Sequence, residues 1–411
     1  MTETLFQAMG FDEPQIPSIR KDPMKVPMLD GTPDLPPPGI YFGMPEELYH
    51  ALPALSSHGA KDLASSPMLY WSRATFLSEL ARKREKERKE KERAHYTLGK
   101  AYHCRIMEGL TAFNQRFAVE LSQEDIEGAL ESTDEIKAAI TASGHKPAAK
   151  VPDQMPDGSG EYMRPAKKWD WSQQLLDINP DAKILDRLNW QHRQMHEGKS
   201  FISAEGYEQI EIAAKMIEAD PEVRHAFTGG HAEVVLLWIC PVTGVPMKAR
   251  CDYLKLKAVV DLKTVANQRG MSIERAIAQE VANYKYQIQP SVYVEGVEEV
   301  RKLVRDGKAN VTVFNRDGQD APALMAWAAR WAEETECEWC WIFQQKGDAP
   351  ITRGVFYPLR GSTRSVTDQM VLEMKKRFRK FAETFGLDPW LDIRPIYDMA
   401  DEDLPVWACD I

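Results

Sequence analysis

The chain has 411 residues and a formal net charge of −10, with 62 acidic side chains against 52 basic ones. That length holds one large domain or two modest ones. The acidic balance excludes a histone-like binder that wraps nucleic acid by many phosphate contacts, but leaves room for local positive potential in one channel. No apolar run approaches a membrane span, and the opening Thr2-Glu3-Thr4 has no signal-peptide pattern, so a cytoplasmic protein without a membrane partner is expected.

Residues 1–38 are rich in Pro and polar residues, end in Pro36-Pro37-Pro38, and read as a mobile tail. Ser56 or Ser57 caps a helix through about Leu63, and Pro67 starts the next. From Glu79 to Arg93 a dense mixed-charge helix is predicted, solvated and laced with internal ion pairs. In Thr97-Leu98-Gly99-Lys100-Ala101-Tyr102-His103 the small residues permit close helix packing; taken alone, His103 reads as structural. Residues 111–200 look like an insertion, with a capped helix over Thr133–Ile140, a Gly- and Pro-rich stretch from Pro152 to Gly160, and Trp169 and Trp171 beyond. Ser203 caps a long helix toward Ala219.

Three short strands follow. Ala232 to Trp238 reads as a buried strand opened by Glu233, Pro241-Val242-Thr243-Gly244 makes a turn, and Val245 to Tyr253 gives the second strand. The third carries Val259-Val260-Asp261-Leu262-Lys263-Thr264. Strand side chains alternate faces, so Asp261 and Lys263 project together while Leu262 points into the opposite layer. An acid and a lysine on one face of an apolar strand are costly to bury without partners, and a divalent cation and a phosphodiester would supply them. If the second and third strands form a hairpin, Asp252 and Asp261 sit nearly opposite each other. The link Leu254-Lys255-Leu256-Lys257 lacks the Asn-Gly signature of a tight turn, so this register is inferred.

Farther on, Gln289 and Tyr293 are four apart, stacked on one helix face if Pro290 sits in its first turn or kinks it. Trp339–Gln345 and Gly354–Leu359 are predicted strands of the same sheet. The helix Ser362–Phe385 carries Lys375, Lys376, Arg377, Arg379 and Lys380, read as a solvated face or a phosphate-contacting one. The tail beyond Pro389 is acidic and holds Trp390 and Trp407. Cys337-Glu338-Trp339-Cys340 has knuckle spacing, but a zinc or iron–sulfur site needs two further ligands and the remaining cysteines are scattered singly, so reduced thiols are expected.

The order His103, Glu233, Asp252, Asp261-x-Lys263, Gln289-x-x-x-Tyr293 resembles the RecB-type branch of the PD-(D/E)xK nucleases, and more closely the RecE-like exonucleases (exodeoxyribonuclease VIII) of phages and prophages. Gly39-Ile40-Tyr41-Phe42, Leu52-Pro53-Ala54-Leu55-Ser56-Ser57 and Leu63 to Trp71 are similar to the motif that opens this branch. The resemblance implies an α/β restriction-endonuclease-like core, a small mixed sheet flanked by helices, with a helical insertion. The expected organisation is a tail over 1–38, an N-terminal nuclease part over 39–110, the insertion over 111–200, the core over 201–388 and an acidic tail over 389–411. Part of that insertion, the helix with Gly144-His145-Lys146-Pro147, has a slight likeness to small helix–turn–helix elements of related phage proteins.

The resemblance makes His103, Asp252 and Asp261 metal ligands, with the Leu262 carbonyl as a further one and Mg2+ (Mn2+ as substitute) as the ion. Lys263 would hold or deprotonate the attacking water and balance charge on the phosphate. An ordinary lysine is protonated at neutral pH, which favours the electrostatic role. Glu233 would help bind a second cation or position water, and Gln289 and Tyr293 would orient the catalytic groups and contact the cut strand. Ser56, Ser57 and Lys61 are candidates for gripping a terminal 5′-phosphate at a helix N-terminus. The implied activity is magnesium-dependent, 5′-to-3′ degradation of linear double-stranded DNA by a ring-shaped homo-oligomer, with a single-strand annealing protein as partner in phage-type recombination. The alternatives are a RecB-type nuclease acting on single-stranded DNA or flaps, and a catalytically silent DNA-end-binding protein.

Overall fold

The three strands marked by alternation form the middle of a seven-stranded mixed sheet in the computed structural model. The structure describes residues 22–28, 33–75, 97–156, 158–265, 267, 270–314, 320–345, 351–393 and 399. The mixed-charge helix expected over Glu79–Arg93, together with Trp407 and Cys409, lies outside them. The chain divides into two compact units, one from Met1–Glu90 and Met216–Ile411, the other Lys91–Lys215.

In the first unit the sheet comprises β1 (Gly39–Phe42), β6 (Gly230–Ile239), β7 (Pro246–Lys255), β8 (Ala258–Val265), β9 (Asn310–Val313), β10 (Glu338–Gln345) and β11 (Thr352–Phe356). Their order is β11-β10-β8-β7-β6-β1-β9. The β6-β7-β8 meander is antiparallel, while β10 joins β8 and β9 joins β1 in parallel. The β7–β8 hairpin that the sequence leaves as inference is present, with Leu254 paired to Val259 and Tyr253 to Val260. Its two-residue link is Leu256-Lys257, and neither residue has positive φ.

Helices cover this sheet because their apolar stripes match its buried face. The N-terminal side supplies α1 (Glu46–Ala51), α2 (Ser57–Ser65) and α3 (Pro67–Thr75). After the second unit's elements, which take α4 to α8 in chain order, come α9 (Ile273–Asn283), α10 (Ile288–Arg305), α11 (Ala321–Glu333) and α12 (Ser362–Phe385). Pro290 stands in the first turn of α10, where its missing N–H has no intrahelical partner to lose. Val292, Val297 and Val300 of α10 are fully buried, and Gly296 lies against the Trp238 ring, where a Cβ would approach within 2.7 Å. Trp238, Trp339, Trp341, Phe343 and Phe378 fill the same core.

Two of the basic residues of α12, Lys375 and Arg379, belong neither to a solvated face nor to an open phosphate contact. Lys375 is buried and paired with Glu295, which also accepts from the Trp238 indole. Arg379 is buried too, donating to Glu383 and to the carbonyls of Asp22 and Thr243, while Arg377 pairs with Asp392 and Lys376 with Glu373. Internal carboxylates and carbonyls satisfy these four charges, as burial requires.

The second unit contains residues 97–103 in a helix that runs into a π-helical turn, Cys104–Glu108, then α4 (Gly109–Arg116), α5 (Thr133–Ala142), α6 (Lys168–Ile178), α7 (Leu185–Met195) and most of α8 (Ala204–Ala219), whose last residues from Met216 on belong to the first unit. Ser132 and Glu135 form a capping box on α5, and Ser203 accepts from the Gly206 N–H at the start of α8. The Gly- and Pro-rich stretch from Pro152 to Gly160 lies within a hairpin whose strands are β3 (Lys150–Gln154) and β4 (Glu161–Pro165). A parallel pair, β2 (Phe117–Val119) and β5 (Ser200–Ile202), accompanies it. Among the described residues, no helix is long and apolar enough to cross a membrane.

Candidate active site

Alternation along β7 puts Lys248, Arg250 and Asp252 on one face, with fully buried Ala249 and Cys251 on the other. One step beyond Tyr253↔Val260 in the hairpin register, Asp252 faces Asp261. There the backbone ladder gives way to a side chain: the Leu262 N–H donates to Asp252 Oδ2 at 3.0 Å. Across β8, Lys263 Nζ lies 2.5 Å from Asp261 Oδ2, and Gln289 Nε2 of α10 donates to Asp261 Oδ1 at 3.1 Å. Trp341 and Phe343, both buried, stand beside Asp261 and Lys263 in the adjoining strand β10.

The electrostatics follow from this crowding. Burial pushes the Asp252 carboxyl up, against the pull of Lys263, the Leu262 N–H and Arg250. Burial also works against the Lys263 charge, but Asp261 and Asp252 outweigh it and hold the ammonium above the ordinary lysine value. Lys263 is therefore charged at neutral pH. Tyr293 is buried, packs edge-on against Trp339, and is kept protonated by that burial.

Glu233 occupies an unusual position. The β6–β7 ladder pairs Ala232 with Tyr253 and Val234 with Cys251, skipping the residue between, and Glu233 has φ 56°. A left-handed non-glycine residue inside a strand costs on the order of 1–2 kcal/mol. Its carboxylate lies 2.5 Å from Arg250 Nε. Alternation along β7 places Arg250 on the carboxylate face.

Ser56 caps α2 by accepting from the Gly59 N–H at 3.1 Å, and Ser57 is buried. Lys61, a turn farther along, reaches the site: its ammonium lies 5.1 Å from the centre of the Tyr286 ring, and Lys263 lies 5.4 Å from the same centre. Burial and the charge of Lys263 lower Lys61 to about 8. Tyr286, approached by both ammonium groups, carries no motif of its own in the sequence. His103 belongs to the second unit, immediately ahead of the π-helical turn, with its ring tilted against Tyr102. The first unit thus brings together Asp252, Asp261, Lys263, Gln289 and Lys61, with Glu233 on the neighbouring strand.

Can these residues hold a divalent ion? Two carboxylates share one lysine, so the pair keeps a net negative charge when both are ionised. Gln289 Oε1 is buried without a hydrogen-bond partner. Hard oxygen donors and a surplus of negative charge suit magnesium or manganese. Among the described residues, no three His, Cys, Asp or Glu side chains gather into a cage. Magnesium does not need one, since it retains waters and takes one or two carboxylates plus substrate phosphate oxygens. The residues fit such an ion.

A helix-flanked mixed sheet presents Asp252 and Asp261-x-Lys263 on adjacent strands. Residues 181–325 match the family model described as a PDDEXK-like domain of unknown function (DUF3799). The matched segment contains Glu233, Asp252, Asp261, Lys263, Gln289 and Tyr293. Among solved structures, the chain is similar to a "Putative exonuclease" from Eubacterium rectale at 16% identity, covering 62% of this chain and 80% of that one, with a TM-score of 0.26. No curated protein matches the chain.

Proposed function

We propose that the protein is a metal-dependent exodeoxyribonuclease of the RecE-like kind, which degrades linear double-stranded DNA from its ends, 5′ to 3′, using Mg2+ or Mn2+. The observation that carries this reading is the hairpin constellation: two carboxylates on adjacent strands, a lysine held charged against one of them, and a glutamine holding the other oxygen of that same carboxylate. A structural role alone gives little reason to bury this cluster, because desolvating it costs more than an apolar packing of similar volume.

Asp252 and Asp261 would hold the ion, with the Leu262 carbonyl and Gln289 Oε1 as further oxygen donors and His103 as the ligand implied by family likeness. A bound divalent cation supplies an activated water and neutralises phosphate oxygens. The chain's own residues do the rest. The Leu262 N–H and Gln289 each fix one carboxylate, so the acceptor oxygens are preorganised. Lys263 places a permanent positive charge where the pentavalent phosphate gathers negative charge. Lys61, beside it, is the cation on hand for an adjacent or terminal phosphate. A single-strand annealing protein as partner, a ring-shaped homo-oligomer and a place in phage-type recombination belong to the same reading.

The test is product analysis on linear duplexes labelled at either end, with and without a 5′-phosphate, beside a closed circle of the same sequence. Stepwise loss from the 5′-ended strand, faster with the phosphate, and an intact circle are expected. Nicking of the circle, or digestion confined to single strands or flaps, would replace this reading with that of a RecB-type enzyme of other specificity. Binding to ends without any hydrolysis would make it a silent end-binder.

A further inference from the structure

Helix α9 ends in a Schellman motif. The Tyr286 N–H donates to the Val281 carbonyl at 2.9 Å and the Lys285 N–H to that of Ala282 at 3.3 Å, with Tyr284 as the C-cap. The residue after the cap in this motif takes a left-handed conformation and is most often glycine; here it is Lys285, with φ 51°. Among the described residues, Lys285 and Glu233 are the non-glycine residues with positive φ, and Lys285 lies within electrostatic reach of Lys61.

The turn has a second peculiarity. By bending back, it stacks the Tyr284 ring on that of Tyr286, with centroids 5.5 Å apart and planes 17° from parallel. Tyr286 is the inner member, approached by the ammonium groups of Lys61 and Lys263. Tyr284 is the outer one, 58% exposed, an aromatic face turned to solvent next to a cluster of cations. Packing has no use for that ring, and water alone gives no reason to hold it parallel to its neighbour. A planar aromatic face with fixed positive charge beside it matches a nucleotide: the base has a π-face of its own, and its phosphate carries the complementary charge.

We propose that Tyr284, Lys285 and Tyr286 form a stacking platform for an unpaired nucleotide of the DNA strand entering the carboxylate site, with the base on Tyr284 and its phosphate between Lys285 and Lys61. The proposal rests on the nuclease reading and adds to it how the strand is held. Stacking on an aromatic ring is indifferent to sequence, as an enzyme that digests any DNA requires. It also offers an unpaired base at a frayed end a surface to replace the neighbour it has lost.

The test is fluorescence anisotropy of a labelled oligothymidylate on the full chain with calcium in place of magnesium, for wild type, Tyr284→Ala, Tyr284→Phe and Lys285→Gly. Tyr284→Ala should weaken binding by about tenfold, within the range seen on removing one stacking ring. Tyr284→Phe should restore it, because the ring and not the hydroxyl makes the contact. Lys285→Gly relieves a strained backbone while removing a charge. It should therefore melt at or above the wild-type temperature, yet bind more weakly and with a salt slope reduced by about one. Wild-type binding by Tyr284→Ala, or equal losses in the Ala and Phe variants, would overturn the platform even if the chain digests DNA normally. If instead wild type neither binds nor digests DNA, the nuclease reading fails and takes the platform with it.

Discussion

The ammonium of Lys61, lowered to about 8, changes charge nearest the physiological range of the groups around the carboxylates. Below that value it is protonated and meets a phosphate as a cation; above it the contact is lost unless binding draws in a proton. The KM for DNA should be flat below about pH 8 and then rise by up to about tenfold per unit. Lys61→Arg should flatten the rise, since arginine stays charged. A wild-type profile without the break would remove Lys61 from phosphate binding. The same depression makes the unfolded chain bind more protons than the folded one between pH 8 and the ordinary lysine value near 10.4. The Lys61 contribution to stability therefore grows with pH across that window and is lost as pH falls through about 8. Asp252 carries the opposite sign. Its raised carboxyl pKa means that ionisation opposes folding, so its contribution is full below the ordinary aspartate value and declines as pH rises through the folded one. Asp252→Asn keeps an oxygen for the Leu262 N–H and discards the charge. Turnover should fall at least roughly 10²-fold while the melting temperature at pH 7 holds or rises. Near-wild-type turnover would mean that the site lies elsewhere.

At the level of elements, the position of α10 decides whether Gln289 reaches Asp261. Gly296 lets the helix lie on Trp238, a ring that is fully buried and tied through its indole N–H to Glu295. In a free helix, Gly→Ala gains about 1 kcal/mol from propensity. Here the added carbon meets a ring that cannot step aside, and overpacking of this kind costs roughly 1–3 kcal/mol. Gly296→Ala should therefore lower stability in chemical denaturation and, by lifting α10, reduce turnover as well; a more stable variant would show that the ring can yield. The strands that carry the chemistry were legible because each half-buried strand writes its period into its residues, as Val259 to Thr264 does. The face of Arg250 is equally legible from the same alternation. The left-handed backbone at Glu233 was not, since nothing in Ala232-Glu233-Val234 distinguishes a left-handed glutamate from an extended one. Nor was the pairing of β1 with β9: two four-residue strands so far apart in sequence carry no local signal of each other.

For the whole molecule, the proposed reading together with the acidic total means that DNA would be held by a few local cations rather than by a general field. Digestion should consequently depend on the ion more than on bulk attraction. Magnesium or manganese should support it, excess chelator should abolish it, and calcium should permit binding with little cleavage, because its larger and looser shell positions water poorly. Full activity in chelator would end the metal-dependent reading. Composition also explains why α12 misled. Five basic residues within six positions suggest a surface for phosphate, yet Lys375 and Arg379 point inward and are consumed by Glu295, Glu383 and two carbonyls. Charge density along a chain reports what must be neutralised, not by whom.

The bond from the Leu262 N–H to Asp252 makes one backbone amide a spectroscopic witness of a single carboxylate. In a 15N-labelled sample, the Leu262 resonance should move with pH along the titration of Asp252 and shift again when an ion occupies the carboxylates, without DNA present and without turnover. Loss of that titration in Asp252→Asn, with the rest of the spectrum retained, would assign the signal and give the carboxylate's affinity for metal directly.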